Sequence, residues 1–230
     1  MTDQNPKLKE KLLTEVIFEI RFLPTKDITL IIGNMFEKLK SSYPNFKNLN
    51  NDIPEGFPDG DKFVKYRIFS QDNQNLYSLG NGILSVNTLN YDSFEKYLLD
   101  IKKIIEIHKE MSELKTITRI GLRYINKIKN EGSLEDKINI KVELPKIIKD
   151  NQLGINLKTS SKLKNNDIIN FGMYTEQYKN DEVFIDLDYS TESSIVYDID
   201  NITSWLNTSH STVYKIFKDC LTEKYFKKIS

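Results

Sequence analysis

Charged and polar side chains alternate with apolar ones in four short segments of the chain, and these side chains are the best suited to bind a ligand. Alternate residues of a β-strand point to opposite faces, so the polar members of each segment share one face. The arginines among them suit phosphate or carboxylate, because a planar guanidinium donates two parallel hydrogen bonds. The candidate binding residues are Glu19, Arg21, Ser85, Asn87, Arg119, Arg123, Asp186 and Asp188.

Two interpretations of these polar strand faces stay open. In the first, they form a recessed surface that recognises a ligand, a peptide or a nucleic acid. In the second, they form a solvated sheet face with cross-strand ion pairs, each contributing at most about 1 kcal/mol. If the strands adjoin in one sheet, an ion pair between Glu19 and Arg123 is an example of such a contact.

Four aspartates lie close together near the end of the sequence, in the runs Asp186-Leu187-Asp188 and Asp198-Ile199-Asp200. Alternating carboxylates of this kind are able to hold Mg²⁺ for phosphoryl chemistry. No nucleotidyltransferase loop or Walker lysine accompanies them, and Asp200 has a simpler explanation as the cap of the last long helix. We therefore expect structural carboxylates and predict no metal site and no cofactor.

Nucleophiles and general bases are scarce. The chain has two histidines, His108 and His210, and one cysteine, Cys220. His210 and Cys220 fall in the same predicted helix and are separated by about 15 Å along its axis, too far for a catalytic dyad. Cys220 lies on the apolar stripe of that helix, where a cysteine behaves as a small hydrophobic residue. We predict no catalytic residue, and the sequence favours a protein that is not an enzyme.

Composition narrows the class of protein further. Lysine plus arginine equals aspartate plus glutamate, 33 each in 230 residues, whereas duplex-binding proteins usually carry a basic excess. A nucleic acid is therefore not the favoured partner, although a local basic patch is compatible with this balance. A single cysteine, a polar amino terminus and the lack of a long apolar run predict a cytoplasmic protein without a membrane segment.

The first half of the sequence predicts the order β-α-β-β-β-α. Asp27 caps the first helix, and Asp92 begins the second one with Glu95 completing a capping box. A loop rich in proline and glycine covers residues 52–61. Alternation and turn signals place the strands at residues 14–23, 63–70, 76–79 and 83–89.

The second half repeats this order with a weaker crossover. Short helical turns are predicted within residues 133–149, and Thr222 is predicted to cap a final turn. The strands fall at residues 116–128, 153–159, 168–177 and 183–189, and the long helix at residues 202–220.

These elements predict an α+β fold of two pseudo-repeated β-α-β-β-β-α halves, with a largely antiparallel sheet and helices on one face. The halves cover residues 1–115 and 116–230 and pack as one globular unit. Residue identity between them is negligible, so the repeat rests on the order of the elements alone.

Several stretches also carry a family resemblance. They are LTEVIFEIRF at Leu13–Phe22, LGNGILSV at Leu79–Val86, Tyr91–Leu98, RIGLRYINK at Arg119–Lys127, and the closing run from Trp205 through LTEKYF at Leu221–Phe226. Together they resemble an uncharacterised prokaryotic family that is sporadically distributed among bacteria and archaea. Phe94-Glu95 stands where that family tends to show Trp-Glu, and residues 130–152 match least.

The resemblance implies no chemistry, but a sporadic distribution is typical of mobile genes such as antiphage defence or toxin–antitoxin loci. The expected function is that of a non-enzymatic regulatory, sensor or partner-binding protein, and the expected partner is a protein encoded nearby. Two alternatives stay open: a nucleotide or phospho-ligand bound by the arginine-rich face, and a nucleic-acid-binding module.

Overall fold

The computed structural model describes residues 11–23, 27–49, 63–129, 134–141, 143, 154–163, 165–176 and 179–230. The loop predicted at residues 52–61 lies outside these ranges, as do residues 133, 142 and 144–149 of the segment predicted to form helical turns. Within the described part of the chain, no helix is both long enough and apolar enough to cross a membrane.

Among the described residues, nine strands form one sheet in which every neighbouring pair is antiparallel, and two short strands form a separate ribbon. The strands are β1 (Leu13–Arg21), β2 (Asn45–Asn48), β3 (Val64–Phe69), β4 (Asn75–Gly80), β5 (Ile83–Thr88), β6 (Thr116–Ile117), β7 (Arg119–Lys129), β8 (Asn156–Lys162), β9 (Ile168–Glu176), β10 (Lys179–Thr191) and β11 (Ile195–Val196). The large sheet has the order β2-β3-β4-β5-β1-β7-β10-β9-β8, and β6 pairs with β11.

The two parts of the sequence meet where β1 pairs with β7 near the middle of the large sheet. On one side, β5, β4 and β3 follow outward from β1, and on the other side β10, β9 and β8 follow outward from β7. The α+β class, the antiparallel sheet and the packing of the helices on it are confirmed. The pseudo-repeat stays a prediction, because the first part has a further edge strand, β2, and much of the crossover in the second part lies outside the described residues.

Three long helices cover one face of the sheet. They are α1 (Ile28–Leu39), α2 (Phe94–Met111) and α3 (Ile199–Cys220), and a shorter helix, α4 (Glu223–Ile229), ends the chain. α1 contacts β4, α2 contacts β5, and α3 contacts β7 and β10, with α2 lying between the other two helices.

The alternation of apolar residues explains why one face of the sheet is covered. Val16, Phe18 and Ile20 on β1 are fully buried under the helices, as are Ile120 and Leu122 on β7. The intervening residues of both strands point to the opposite face, which we call the open face. Each helix contributes an apolar stripe to this single core, so the pleat of the strands decides which side chains remain outside it.

The caps of two helices differ from the prediction. α2 is capped by Ser93, whose side chain accepts a hydrogen bond from the backbone N–H of Lys96, and not by Asp92. α3 begins earlier than expected, because Asp198 rather than Asp200 caps it and accepts a bond from the backbone N–H of Asp200. At each helix start two residues of a capping type lie within two positions of each other, Asp92 and Ser93 at α2 and Asp198 and Asp200 at α3. The sequence pattern does not show which of the two is the cap.

Other local predictions agree with the structure more closely. Asp27 caps α1, and Thr222 caps α4 by accepting a bond from the backbone N–H of Tyr225. A single 3-10 turn at Leu134–Asp136 is the described part of the predicted helical turns. The short strands β2 and β11 were not predicted, because four and two residues are too few to show an alternating pattern.

Candidate functional site

The open face collects all eight candidate residues. Directly opposite residues on antiparallel neighbours share a face, and the register places Ser85 opposite Glu19 and Arg119 opposite Arg21. It also places Asp188 opposite Arg123. Asn87 and Asp186 lie two residues from members of this set on their own strands, so they have the same orientation. The face therefore brings together side chains that are up to 169 positions apart in sequence, from Glu19 to Asp188, and their role in binding stays a prediction.

Arg119 lies at the centre of a network of charged side chains. Its Nη1 donates to Oε1 of Glu19 at 3.0 Å, and its Nη2 lies 3.5 Å from Oδ2 of Asp188. Arg21 donates from Nε to the same Glu19 oxygen at 2.8 Å. This network joins β1, β7 and β10, and it crosses the junction between the two parts of the sequence.

Gly121 provides the space that the Arg119 side chain occupies. A Cβ atom at position 121 would lie 2.9 Å from Nη1 and 3.3 Å from Nη2 of Arg119. Gly121 is opposite Glu19 on β1 and Ser190 on β10, so the guanidinium above it lies between the two strands that carry its carboxylate partners. The motif Arg119-Ile120-Gly121 thus has a geometric reason: an arginine folds back over the glycine two residues later.

A second arginine forms its own two-bond ion pair. Arg123 donates to Asp186 from Nε at 2.7 Å and from Nη2 at 2.5 Å. The hydrogen bonds to Asp186 raise the pKa of Arg123 above its ordinary value. The predicted pair of Glu19 with Arg123 is absent from the network: Arg123 is opposite Ile17 on β1, and Asp186 of the other neighbouring strand takes the guanidinium.

Polar side chains extend the network toward both edges of the sheet. On one side Asn170 donates to Asp188 at 3.3 Å and accepts from Ser160 at 2.7 Å. On the other side Asn87 donates to Oε1 of Glu15 at 3.1 Å. Four residues of this surface were not predicted as site residues: Glu15, Gly121, Ser160 and Asn170. Strand alternation identifies Glu15, which lies four residues before Glu19, whereas Asn170 and Ser160 depend on the register of the second half.

The open face also has apolar and aromatic members. Ile17 and Ile125 are half-buried there, and the rings of Tyr174 and Phe184 stack at a centroid distance of 5.3 Å. The charged members are partly shielded: 19 % of the Arg119 side chain and 15 % of the Asp186 side chain are exposed. The surface is therefore a mixture of paired charges and apolar side chains.

These contacts bear directly on the phosphate and metal interpretations. A phosphate at Arg119 or Arg123 would have to displace a carboxylate that already bonds the guanidinium. Asp186 and Asp188 do share a face, but each bonds a different arginine instead of facing a common position between them. Among the described residues, no group of three or more histidine, cysteine, aspartate or glutamate side chains is arranged to hold a metal ion.

His108 and Cys220 lie in the core, and His210 is half-buried. His108 on α2 is fully buried, and its Nδ1 lies 2.8 Å from the hydroxyl of Tyr197. Burial lowers the pKa of His108 to about 4. His210 on α3 stacks on Phe94 at a centroid distance of 4.0 Å. Cys220 is buried, and burial raises the pKa of its thiol to about 11, which makes it a poor nucleophile.

In comparisons with known proteins, no protein-family model matches the chain, and no curated protein is significantly similar to it.

Proposed function

We propose that this chain is a non-enzymatic partner-binding protein with a regulatory or sensor role, and that the open face is the surface that binds its partner. The observation that carries this proposal is the pairing of every central arginine on that face with a carboxylate. Paired arginines are poorly placed to hold a phosphate, but they form a rigid, hydrogen-bonded surface for a macromolecule.

Preorganisation supports this use of the surface. Fixing a mobile side chain on binding costs about 0.5–1.5 kcal/mol, and that cost opposes association. Arg119 and Arg123 are held by hydrogen bonds before any partner arrives. A partner that docks on them therefore meets side chains that have already lost much of their freedom.

The composition of the face is also that of a protein interface. Interface centres are enriched in arginine, tyrosine and phenylalanine, and lysine is depleted from them. Next to the middle of the open face, β7 carries Arg119 and Arg123, and Phe184 on the neighbouring strand β10 stacks on Tyr174 of β9. The half-buried Ile125 lies on β7 opposite Asp186 of β10.

The size of the face is sufficient for a specific complex. Nine strands at a spacing of about 4.8 Å span about 38 Å, and six residues along a strand span about 20 Å. The product is about 800 Å², which is the area that one partner buries in an interface of standard size.

Site-specific photo-crosslinking in the cells that naturally produce the protein tests this proposal. A benzophenone amino acid is placed at the position of Asn87 or Ile125 on the open face. The matched controls carry it at Leu30 on α1 or Leu99 on α2, which are 68 % and 65 % exposed on the helical side. We expect one discrete protein adduct from both open-face positions and none from the helical positions.

Two results would contradict the proposal. The first is the absence of any adduct from both open-face positions in folded protein. The second is an identical adduct pattern from the open-face and helical positions, because a specific interface cannot include both sides of the sheet. Circular dichroism of each variant confirms that the amino acid has not disturbed the fold.

A place in a prokaryotic mobile locus, for antiphage defence or as part of a toxin–antitoxin pair, belongs to the same proposal. It is supported only by the resemblance of the EVIFEIRF and RIGLRYINK motifs to a sporadically distributed family. The identity of the crosslinked partner tests it, since the proposal requires the product of a neighbouring gene.

A further inference from the structure

The open face carries an excess of positive charge although the whole chain has none. The chain has 33 basic and 33 acidic residues, so its formal charge is zero. The register assigns nine described cations and five described carboxylates to the open face. The cations are Arg21, Lys47, Arg67, Arg119, Arg123, Lys127, Lys129, Lys158 and Lys162, and the carboxylates are Glu15, Glu19, Glu182, Asp186 and Asp188.

The carboxylates and the cations are distributed differently over this face. All five carboxylates lie on β1 and β10, at or next to the middle of the sheet, where they bond Arg119, Arg123 and their neighbours. Three exposed cations lie further out and form no ion pair within the described residues: Arg67 on β3, and Lys158 and Lys162 on β8. The excess charge is therefore located at the two flanks.

The distance between the flanks limits what they can bind together. β3 and β8 are separated by seven strand spacings, which correspond to about 34 Å. A single nucleotide or other small ligand is much too short to contact both flanks. A macromolecule that covers the face contacts both of them at once.

The arrangement of charge also distinguishes between two classes of macromolecule. A nucleic acid presents phosphates at regular intervals, so a strand that joined the flanks would pass over Glu19, Asp186 and Asp188. A protein can place acidic side chains only at its rim and uncharged groups at its centre. The neutral centre and basic flanks of the open face fit the second pattern.

We infer that the partner of the open face is a protein whose contact surface carries acidic side chains at its rim, which pair with Arg67 at one flank and with Lys158 and Lys162 at the other. This inference rests on the proposed function and specifies the chemistry of the partner. The paired charges at the centre fix the orientation of the complex, and the flanks attract the partner over a longer range.

Fluorescence anisotropy with labelled hexa-L-glutamate tests the charge of the flanks, because this peptide is about 20 Å long when extended and can bind one flank without crossing the acidic centre. A labelled DNA duplex and a DNA single strand serve as competing probes. The variant Arg67→Glu/Lys158→Glu/Lys162→Glu is compared with Lys103→Glu/Lys215→Glu/Lys228→Glu, which makes the same change of charge at exposed positions on the helices. We expect the first variant to bind hexa-L-glutamate at least tenfold more weakly than the wild-type protein does, and the affinity of the second variant to change by less than twofold. Equal losses in both variants, or no binding by the wild-type protein at low salt, would overturn the inference.

Tighter binding of either DNA probe than of hexa-L-glutamate, lost with the flank variant, would assign the surface to nucleic acid instead. Crosslinking at Ile125 separates this inference from the proposed function. If the flank variant retains the Ile125 adduct at the wild-type yield, the open face binds a partner that is not acidic, and only the inference fails. If the wild-type protein gives no adduct, the proposed function itself fails.

Discussion

The guanidinium of Arg119 occupies the space above Gly121, so that a Cβ at position 121 would lie 2.9 Å from Nη1. This contact explains how one arginine reaches both Glu19 and Asp188 from the strand that separates them. Gly121 therefore supports the ion-pair network only while Arg119 is present to occupy the space above it.

This contact predicts that the effect of Gly121→Ala on the free energy of unfolding depends on whether Arg119 is present. With Arg119 present, the added methyl group displaces the guanidinium from its contacts with Glu19 and Asp188. The loss of these contacts offsets the stability that alanine gains by restricting the unfolded chain. In an Arg119→Ala background the clash is gone, and we expect Gly121→Ala to stabilise the fold by about 0.5–1 kcal/mol. Urea denaturation of the four proteins in the cycle measures the coupling.

Gly33→Ala on α1 is the matched control for this cycle. A Cβ at Gly33 meets nothing within 4 Å, and alanine favours a helix over glycine by about 1 kcal/mol. It should therefore stabilise the fold equally with or without Arg119. An equal effect of Gly121→Ala in both backgrounds would show that Arg119 does not depend on the glycine.

The two-bond pair of Arg123 and Asp186 gives a second prediction. Asp186→Asn removes the charge from a side chain that is only 15 % exposed, and we expect a loss of about 1 kcal/mol in the free energy of unfolding. The loss should shrink at high salt, because ions screen the partly exposed pair.

Glu182→Gln provides the comparison, since Glu182 bonds Lys127 through a single contact of 2.9 Å and its side chain is 30 % exposed, against 15 % for Asp186. We expect a loss below about 0.5 kcal/mol from that variant. If both substitutions have the same effect, the geometry of the Arg123 pair contributes nothing to stability. Urea denaturation at low and high salt measures both.

The strands of the open face show how far sequence alone leads. Alternation in LTEVIFEIRF and RIGLRYINK is a local property, and it predicted which side chains of β1 and β7 leave the core. The partners of those side chains depend on the register between distant strands, and one residue of shift changes every pair. That is why Arg119, rather than Arg123, pairs with Glu19 in the structure.

The helix starts were predictable only to within one or two residues. Substituting Ser93 and Asp92 separately tests which of the two caps α2. Ser93 accepts the bond from the backbone N–H of Lys96, so we expect Ser93→Ala to cost about 1 kcal/mol. Asp92→Ala removes an exposed ion pair with Lys96 and should cost less. If Asp92→Ala lowers the free energy of unfolding more than Ser93→Ala does, in thermal or urea denaturation, then Asp92 is the cap.

Buried His108 predicts a loss of stability in mild acid. Its pKa is lowered to about 4 in the folded protein by burial, against about 6.5 in an unfolded chain. The unfolded state therefore binds a proton first as the pH falls through 6.5, and the folded state does not follow until about pH 4. Between pH 6.5 and pH 4 the titration of His108 should therefore lower the free energy of unfolding by up to about 3 kcal/mol.

Two variants isolate the contribution of His108 to that acid sensitivity. His108→Gln removes the titrating group, so its unfolding free energy should change much less than that of the wild type between pH 6.5 and pH 4. Tyr197→Phe removes the hydroxyl 2.8 Å from Nδ1 but leaves the imidazole buried, and it should keep the acid-induced loss because desolvation is its cause. If His108→Gln and the wild type lose stability in parallel over this range, the imidazole takes up its proton in the folded core, and burial alone does not keep it neutral.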